Sequence, residues 1–404
     1  VTTPVEITVS SYAAARDVFR RKDLRQALYD EGEVVMADVL VNLHGEQHRA
    51  RRRLENRLFR KDAHARYERE LFPPIVSATL EPHVAAGRAE LVELSHELMM
   101  NLAAFTAGVD RPRGTREETM ALFAYLMVFI QGATLAHHTG DREAKRAEVA
   151  RALVDFDREF LAPSVDRRRR LLAEVAAGTR SEDDLPRDVL TTLLRNDDDL
   201  HLPDDVVLRE TAFFLLAGAH TSATAFVRTL HQVFQMAQDR PADHERARTD
   251  LAFLQRCVHE TVRLQPSSPV AQRWALADVE LADGTLVPTG ARVTIDLMAA
   301  NRDPEVFGTD PEAFDPHRTL AAGVAPWGLS FGLGMHACIG QDLAAGVDPG
   351  DGSSADDDHL FGLVPVAVRA VLDAGGAPDP DDPPAVDPES SRGYWGRYPV
   401  VFPG

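Results

Sequence analysis

Residues Phe331 to Gly340 read FGLGMHACIG, a lone cysteine among three glycines. Glycine adopts backbone conformations that other residues avoid, and it lets the chain run close to a flat ligand. A cysteine in such a loop can present its sulfur outward, where backbone N–H groups and a metal hold it as the thiolate. From spacing alone, the stretch is equally a glycine-rich turn around a buried thiol. HETVRL places Glu260 and Arg263 at i and i+3 on one helix face, a spacing that suits a charge-assisted pair. On most helices such a pair is a surface salt bridge. HRARR places His48 and Arg52 one turn apart on one face, but Arg49, Arg51 and Arg53 crowd the same turns, so a basic solvated helix is the plain alternative. LLAGAHTSAT brings together Gly218, His220 and Thr221. The glycine leaves a gap in a helix face. The imidazole can carry protons near neutral pH, or serve only in packing. The hydroxyl can bond back one turn, or open that bond to hold water.

Together these stretches resemble the cytochrome P450 family. The loop carries every fixed position of that family's FGxGxHxCxG pattern: Phe331, Gly332, Gly334, His336, Cys338 and Gly340. The resemblance runs from the early helices to the final strand. It implies a mainly α fold with a small β-sheet region, a single cytochrome P450 domain over residues 1–404. It implies haem b (iron protoporphyrin IX), with Cys338 as the metal ligand in a loop shaped by Phe331, Gly332 and Gly340. His48, Arg52, Arg273 in QRWALADVEL and His336 stand where the family supplies donors to the haem carboxylates. Glu260 and Arg263 match the ExxR pair of the family core, and Arg318 in PEAFDPHR matches the arginine that completes it. Ala217, Gly218, Ala219, His220 and Thr221 occupy the family's oxygen-activation stretch. There Gly218 leaves space over the haem and Thr221 holds water and dioxygen. The acid that the family places before the threonine is replaced by His220, a candidate proton relay.

The function implied is a monooxygenase that activates dioxygen and oxidises an apolar small organic molecule, in bacterial secondary metabolism and in the cytoplasm. Ferredoxin and ferredoxin reductase would supply its electrons. Two rivals are carried. One is a peroxide-driven or atypical enzyme for coupling or ring formation, motivated by His220 and an acidic insert. The other is a non-catalytic recruitment scaffold, against which the cysteine loop and Thr221 count.

These groups need rigid elements, and helical periodicity dominates. It predicts helices over Tyr12–Arg20, His48–Phe59, His64–Ala86, Leu91–Ala107, Arg116–His137, Leu202–Met236 and Leu251–Leu264, and over Asp141–Ala176 with a break near Pro163. Strand patterns cover Val279–Leu281, Leu286–Val287, Val293–Asp296 and Tyr398–Phe402, with Asp283-Gly284 as a hairpin turn. Pocket walls are expected from residues 29–45, 116–137, 213–221 and 267–271, with Phe123, Met127, Phe213 and Phe214 giving them an apolar surface. Trp327 is expected to pack under the cysteine loop, and Cys257 to be a core thiol.

Three departures from the family stand out. Val5–Arg20 resembles the strand and helix that usually follow an N-terminal helix, which is expected to be missing. Tyr29–Gly45 is brief. The helix after the loop is cut after Ala345 by DPGDGSSADDD, residues 348–358, and is expected to resume near His359. In the family the face beside the cysteine receives the electron donor, so these aspartates would repel an acidic ferredoxin.

Composition excludes other classes. A net charge of −19 argues against a duplex nucleic-acid binder, which needs a basic face. Two cysteines make no disulfide framework and point to a reducing compartment. The apolar run Met120–Ile130 is too short for the ~20 residues a membrane span requires, and no signal-peptide pattern opens the chain.

Overall fold

Helix starts fall where a side-chain oxygen meets unpaired backbone donors. In the computed structural model, which describes residues 4–135, 138–348, 358–388, 390 and 392–403, Ser11 accepts from Ala14 N–H ahead of Tyr12–Arg20, and Thr115 caps Arg116–Ala133 through Glu118 N–H. Asp141 caps Arg142–Phe156, and Asp250 caps Leu251–Leu264. Prolines then shape helix interiors. Arg142–Phe156 does not break near Pro163. It passes through a π turn, Asp157–Leu161, into Ala162–Ala176, with Ala162 N–H bonded to Asp157 O. Tyr67–Leu71 does the same ahead of Pro73. Proline has no N–H for the i−4 carbonyl, and a widened turn accommodates that loss without ending the helix.

The chain divides into two compact units: Val1–Ala27, Lys61–Ser95 and Ser222–Gly404 form one, Leu28–Arg60 and His96–Thr221 the other. The larger unit holds a four-stranded sheet in the order Glu6–Val9, Arg292–Asp296, Val270–Ala275, Leu24–Gln26, with the first pair parallel and the rest antiparallel. Val270–Ala275 was not legible as a strand, because Gln272 and Arg273 interrupt its apolar alternation. Helix Tyr12–Arg20 buries Ala15, Val18 and Phe19 in the same core as Val293, Ile295 and Leu329. Val279–Glu280 and Leu286–Val287 pair as the hairpin around Asp283-Gly284.

In this unit, helix Gln341–Ala345 follows the cysteine loop and the next helix is Leu363–Asp373. Helix resumes at Leu363 rather than His359, because the Glu68 carboxylate accepts from Phe361 and Gly362 N–H at 3.1 and 2.7 Å and Gly362 is left-handed, φ 88°. The acidic insert lies outside the described residues except for its ends. The chain on either side of it is joined: Val347 N–H donates to Leu360 O at 2.9 Å, and Gln255 bonds Ala345 O and Val347 O through its amide and His359 Nε2 through its oxygen.

The smaller unit packs Arg116–Ala133 on Arg142–Phe156 through an aromatic cluster, with Phe129 edge-on to Phe156 at 5.4 Å and Tyr125 edge-on to Phe160. Leu122, Leu126 and Phe129 are the buried face of the apolar run. The long helix Asp204–Asp239 gives its residues up to Thr221 to this unit. Among the described residues, no helix is long and apolar enough to cross a membrane.

Candidate functional site

In the larger unit the cysteine loop is a closed turn. Cys338 N–H donates to Phe331 O at 2.8 Å, and Gly334–His336 forms a 3-10 turn. Gly332 and Gly334 lie at φ 64° and 69°, where other residues are strained, and a Cβ at Gly334 would meet Phe19 O at 2.7 Å. Cys338 is exposed while Cys257 is buried, with its thiol pushed up by burial. Trp327 is buried beneath the loop, edge-on to Phe331 at 5.6 Å and to His259 at 5.0 Å.

A buried ion cluster braces this loop from behind. Arg263 donates to Glu260 through Nε and Nη2, both at 2.7 Å, and to the carbonyls of Asn301 and Pro311. Arg318 Nε reaches the same carboxylate at 3.2 Å, with Asp315 N–H at 3.1 Å. Asn301, which no sequence pattern singled out, links this cluster to the loop. Its amide donates to Arg263 O and Ser330 Oγ, and its oxygen accepts Leu329 N–H at 2.7 Å.

Arg273 is buried on the sheet, with its guanidinium 5.1 Å from the centre of the Phe19 ring. Its Nη1 donates to Gln26 Oε1 at 2.7 Å and to Gln272 O at 2.8 Å. His336 is half-buried within the loop.

In the smaller unit, helix Gly45–Glu55 carries His48 and Arg52 one turn apart. His48 is buried, and burial first, then Arg52, His44 and Arg49, lowers its pKa to about 4, so it is neutral at pH 7. Arg52 Nε donates to Asn56 Oδ1 at 2.9 Å. The rest of the helix is not simply solvated. Arg51 is buried and donates to Glu210 Oε2 at 2.7 Å, while Leu40 N–H donates to both oxygens of Glu210. Glu55 lies beside them, fully buried, and its oxygens meet no donor among the described residues. Two carboxylates against one arginine leave a buried charge unbalanced. Burial, reinforced by Glu210, therefore pushes Glu55 well up, and burial raises Glu210 to about 7 against the pull of Arg51 and Leu40 N–H.

Both acids titrate higher here than in the unfolded chain, where glutamate titrates near 4.5. The native state binds more protons across that window, so this cluster's contribution falls as pH rises from about 4.5 through about 7 and is fully present only below it. Glu55→Gln should flatten that fall and raise stability at pH 8 relative to wild type by about 1–3 kcal/mol, because the amide donates where the acid lost its proton. Urea midpoints of both proteins at pH 5 and pH 8 measure it, and parallel pH profiles would contradict it.

On the long helix, Gly218 and Thr221 are both exposed and three residues apart, and His220 is half-buried. Adjacent positions point about 100° apart, so His220 and Thr221 face different ways. The turn is closed, with Thr221 Oγ1 donating to Ala217 O at 2.7 Å. A Cβ on Gly218 would meet only Ala103 Cβ, at 3.5 Å. Glycine there costs the helix up to ~1 kcal/mol relative to alanine, and protein packing does not require it. It leaves the helix face open at that position. Phe214 stacks on Phe59 at 6.1 Å, and Phe123 on His96 at 4.3 Å. Within the larger unit, an exposed soft sulfur, a buried arginine and a half-buried histidine are donors of the kind that a flat, anionic, metal-bearing macrocycle takes.

The family model described as Cytochrome P450 matches residues 144–345. Cyclomarin C epoxidase CymV of Salinispora arenicola is 30% identical, over 66% of this chain and 62% of that protein. Cyclooctat-9-en-7-ol 5-monooxygenase of Streptomyces melanosporofaciens is 28% identical, over 78% of this chain and 71% of the relative. The chain thus spans a little under two thirds of the epoxidase. Among solved structures, P450BioI in complex with an acyl carrier protein ligated to hexadec-9Z-enoic acid superposes with a TM-score of 0.75 at 18% identity, covering 98% of this chain and 92% of that one. CYP109E1 of Bacillus megaterium, in complex with testosterone, superposes with a TM-score of 0.74 at 19% identity, covering 100% and 95%. At those identities the likeness is one of fold.

Proposed function

The chain belongs to the cytochrome P450 family, and from that premise we propose that it is a haem-thiolate monooxygenase with Cys338 as the iron ligand. The observation that carries this reading is an exposed cysteine in a closed glycine loop, braced from behind by Asn301 and the Glu260–Arg263–Arg318 cluster. Haem b, when bound, supplies dioxygen activation, with the cysteine's electron donation favouring O–O cleavage. The chain's residues supply the rest. Cys338 anchors the metal, with Phe331, Gly332 and Gly340 shaping its loop. Arg273, His336, His48 and Arg52 hold the two carboxylates. Gly218 would leave room for the group on its helix, and Thr221 Oγ1 would hold a proton one turn away. His220 relays protons in place of the family's acid.

The substrate class is an apolar small organic molecule of bacterial secondary metabolism, a reading supported by relatives named as an epoxidase and a monooxygenase. Ferredoxin and ferredoxin reductase are the proposed electron donors, in a single cytoplasmic domain. The reduced protein should give the carbon monoxide difference band of a thiolate-ligated haem, and its absence would return the chain to the scaffold reading. His220 favours one second reading, a peroxide-driven enzyme. Turnover with ferredoxin plus reductant, compared with turnover on hydrogen peroxide, separates the two.

His220→Ala should lower the fraction of electrons that reach product several-fold in the reductant-driven reaction, less than the ~10²–10⁴-fold of a positioned proton transfer because water still delivers some protons. Peroxide-driven turnover should change less, because hydrogen peroxide brings its own protons, and His220→Glu should restore the reductant route. Equal coupling in wild type and His220→Ala would leave the histidine structural.

A further inference from the structure

The last carbonyls of a helix find no donor further along it, so other segments must supply one. At the end of Leu251–Leu264, in the larger unit, Gln265 N–H takes Thr261 O, and the carbonyls of Val262, Arg263 and Leu264 reach beyond the helix. Side chains from two distant segments meet them. Ser330 Oγ donates to Val262 O at 2.8 Å, Asn301 Nδ2 to Arg263 O at 3.0 Å, and Arg302 Nη2 to Leu264 O at 2.7 Å. The two segments are bonded to each other as well, because Asn301 Nδ2 donates to Ser330 Oγ at 2.8 Å. Asn301 is fully buried, and both ends of its amide are used. Leu329 N–H is a donor, so it faces Oδ1, which it meets at 2.7 Å, while the Arg263 carbonyl faces Nδ2. The partners thus fix the orientation of the amide. Asn301 and Arg263 clasp each other twice, since Arg263 Nη1 donates to Asn301 O at 2.6 Å. Gly328 lies at φ 61°, and a Cβ there would run into Asn301 Oδ1, so the chain leaves the amide room to approach. What the amide holds is the entry to the cysteine loop. The carbonyl of Leu329 accepts Gly332 N–H at 2.9 Å, and Ser330 precedes Phe331, whose carbonyl accepts Cys338 N–H.

We propose that Asn301 is a positioning residue for the thiolate: it ties the entry of the cysteine loop to the C-terminal end of the Glu260–Arg263 helix, so that this helix sets where the Cys338 sulfur stands. The inference rests on the haem-thiolate reading above and deepens it. Asn301 acts on the sulfur only through Leu329 and Ser330. Mere packing predicts that its loss weakens the fold as a whole. Positioning predicts that the loop and the ligation suffer out of proportion to the fold.

The test compares the full chain as wild type, Asn301→Ala, Ser330→Ala and a control, Val400→Ala. Val400 is 1% exposed on strand Pro399–Val401, in a sheet that contains no residue of the loop or of the Asn301 segment. Three quantities are read: the thermal midpoint, hydrogen exchange of the Gly332 and Cys338 amides, and the rate at which the ferrous carbon monoxide complex passes from the red-shifted band to the unshifted one. Asn301→Ala should raise exchange and conversion about tenfold each, a factor that corresponds to about 1.4 kcal/mol, near the net worth of one hydrogen bond. Ser330→Ala keeps the Leu329 bond, so it should raise both by a smaller factor. Val400→Ala should lower the midpoint and leave both rates within about twofold of wild type, as distant sites act independently. Rates raised as much in Val400→Ala as in Asn301→Ala, at a comparable midpoint, would reduce Asn301 to packing and overturn the proposal, and so would wild-type rates in Asn301→Ala. If Asn301→Ala does not fold, Ser330→Ala decides, and wild-type rates there overturn the proposal. A wild type without the red-shifted band, with loop exchange still faster in the variants, would instead overturn the haem-thiolate reading and leave the clamp on the loop standing.

Discussion

Cys338→Ala should give a folded protein whose ferrous carbon monoxide complex lacks the red-shifted Soret band of thiolate ligation. The loop that presents the sulfur is closed by main-chain bonds that alanine keeps, namely Cys338 N–H to Phe331 O, Gly332 N–H to Leu329 O and Ala337 N–H to Gly334 O. The left-handed Gly332 and Gly334 are untouched, and the bracing through Asn301 and Ser330 involves side chains of other residues. The side chain removed is exposed, so the folding cost should lie within about 0.5 kcal/mol, as for most surface substitutions. The effect on ligation should be complete, because Cys257 is buried and its thiol is pushed up by burial, so it cannot substitute. Carbon monoxide difference spectra and thermal midpoints recorded on the same preparations separate the two effects. A variant that keeps the band would move the ligand elsewhere in the chain.

Glu260→Ala and Arg263→Ala should act as folding mutants, each costing about 3–5 kcal/mol because removing one partner leaves buried charge uncompensated. That is a large share of a domain's total of about 5–15 kcal/mol. Arg263 should be the more damaging position. It is fully buried, and it ties Glu260, Asn301 O and Pro311 O together while its guanidinium lies 4.7 Å from the Phe307 ring centre. Glu260→Ala leaves Arg263 and Arg318 as neighbouring cations, though each keeps carbonyl acceptors. Arg263→Lys should rescue little, since an ammonium cannot present the planar fork that this carboxylate accepts. Denaturant midpoints of the soluble variants measure these costs. Wild-type midpoints would place the pair with exposed bridges worth at most ~1 kcal/mol.

By itself the sequence determined what depends on neighbours a few residues apart. The cysteine loop, the Glu260–Arg263 spacing, the hairpin at Asp283-Gly284 and most helix spans are of this kind. Glycine placement, a 3.6-residue period and capping oxygens are local physics that the chain carries wherever it folds. The tertiary structure decided which of those groups are buried and what they face. Arg51 looked like one more solvated arginine on a basic helix, and only the fold brings it to Glu210, 159 residues away. Gln26 had no pattern around it, and its partner Arg273 lies 247 residues along the chain. Asn301 stands in a stretch with no functional signature, yet it joins the ion cluster to the loop because the chain returns there. The π turns before Pro73 and Pro163 replaced one expected break, since a widened turn accommodates the missing proline N–H without ending the helix. The reason is common to all of these. A side chain's charge and hydrogen-bonding needs are written in its type, but whether water or a distant residue meets them is set by burial, which depends on contacts between segments far apart in sequence.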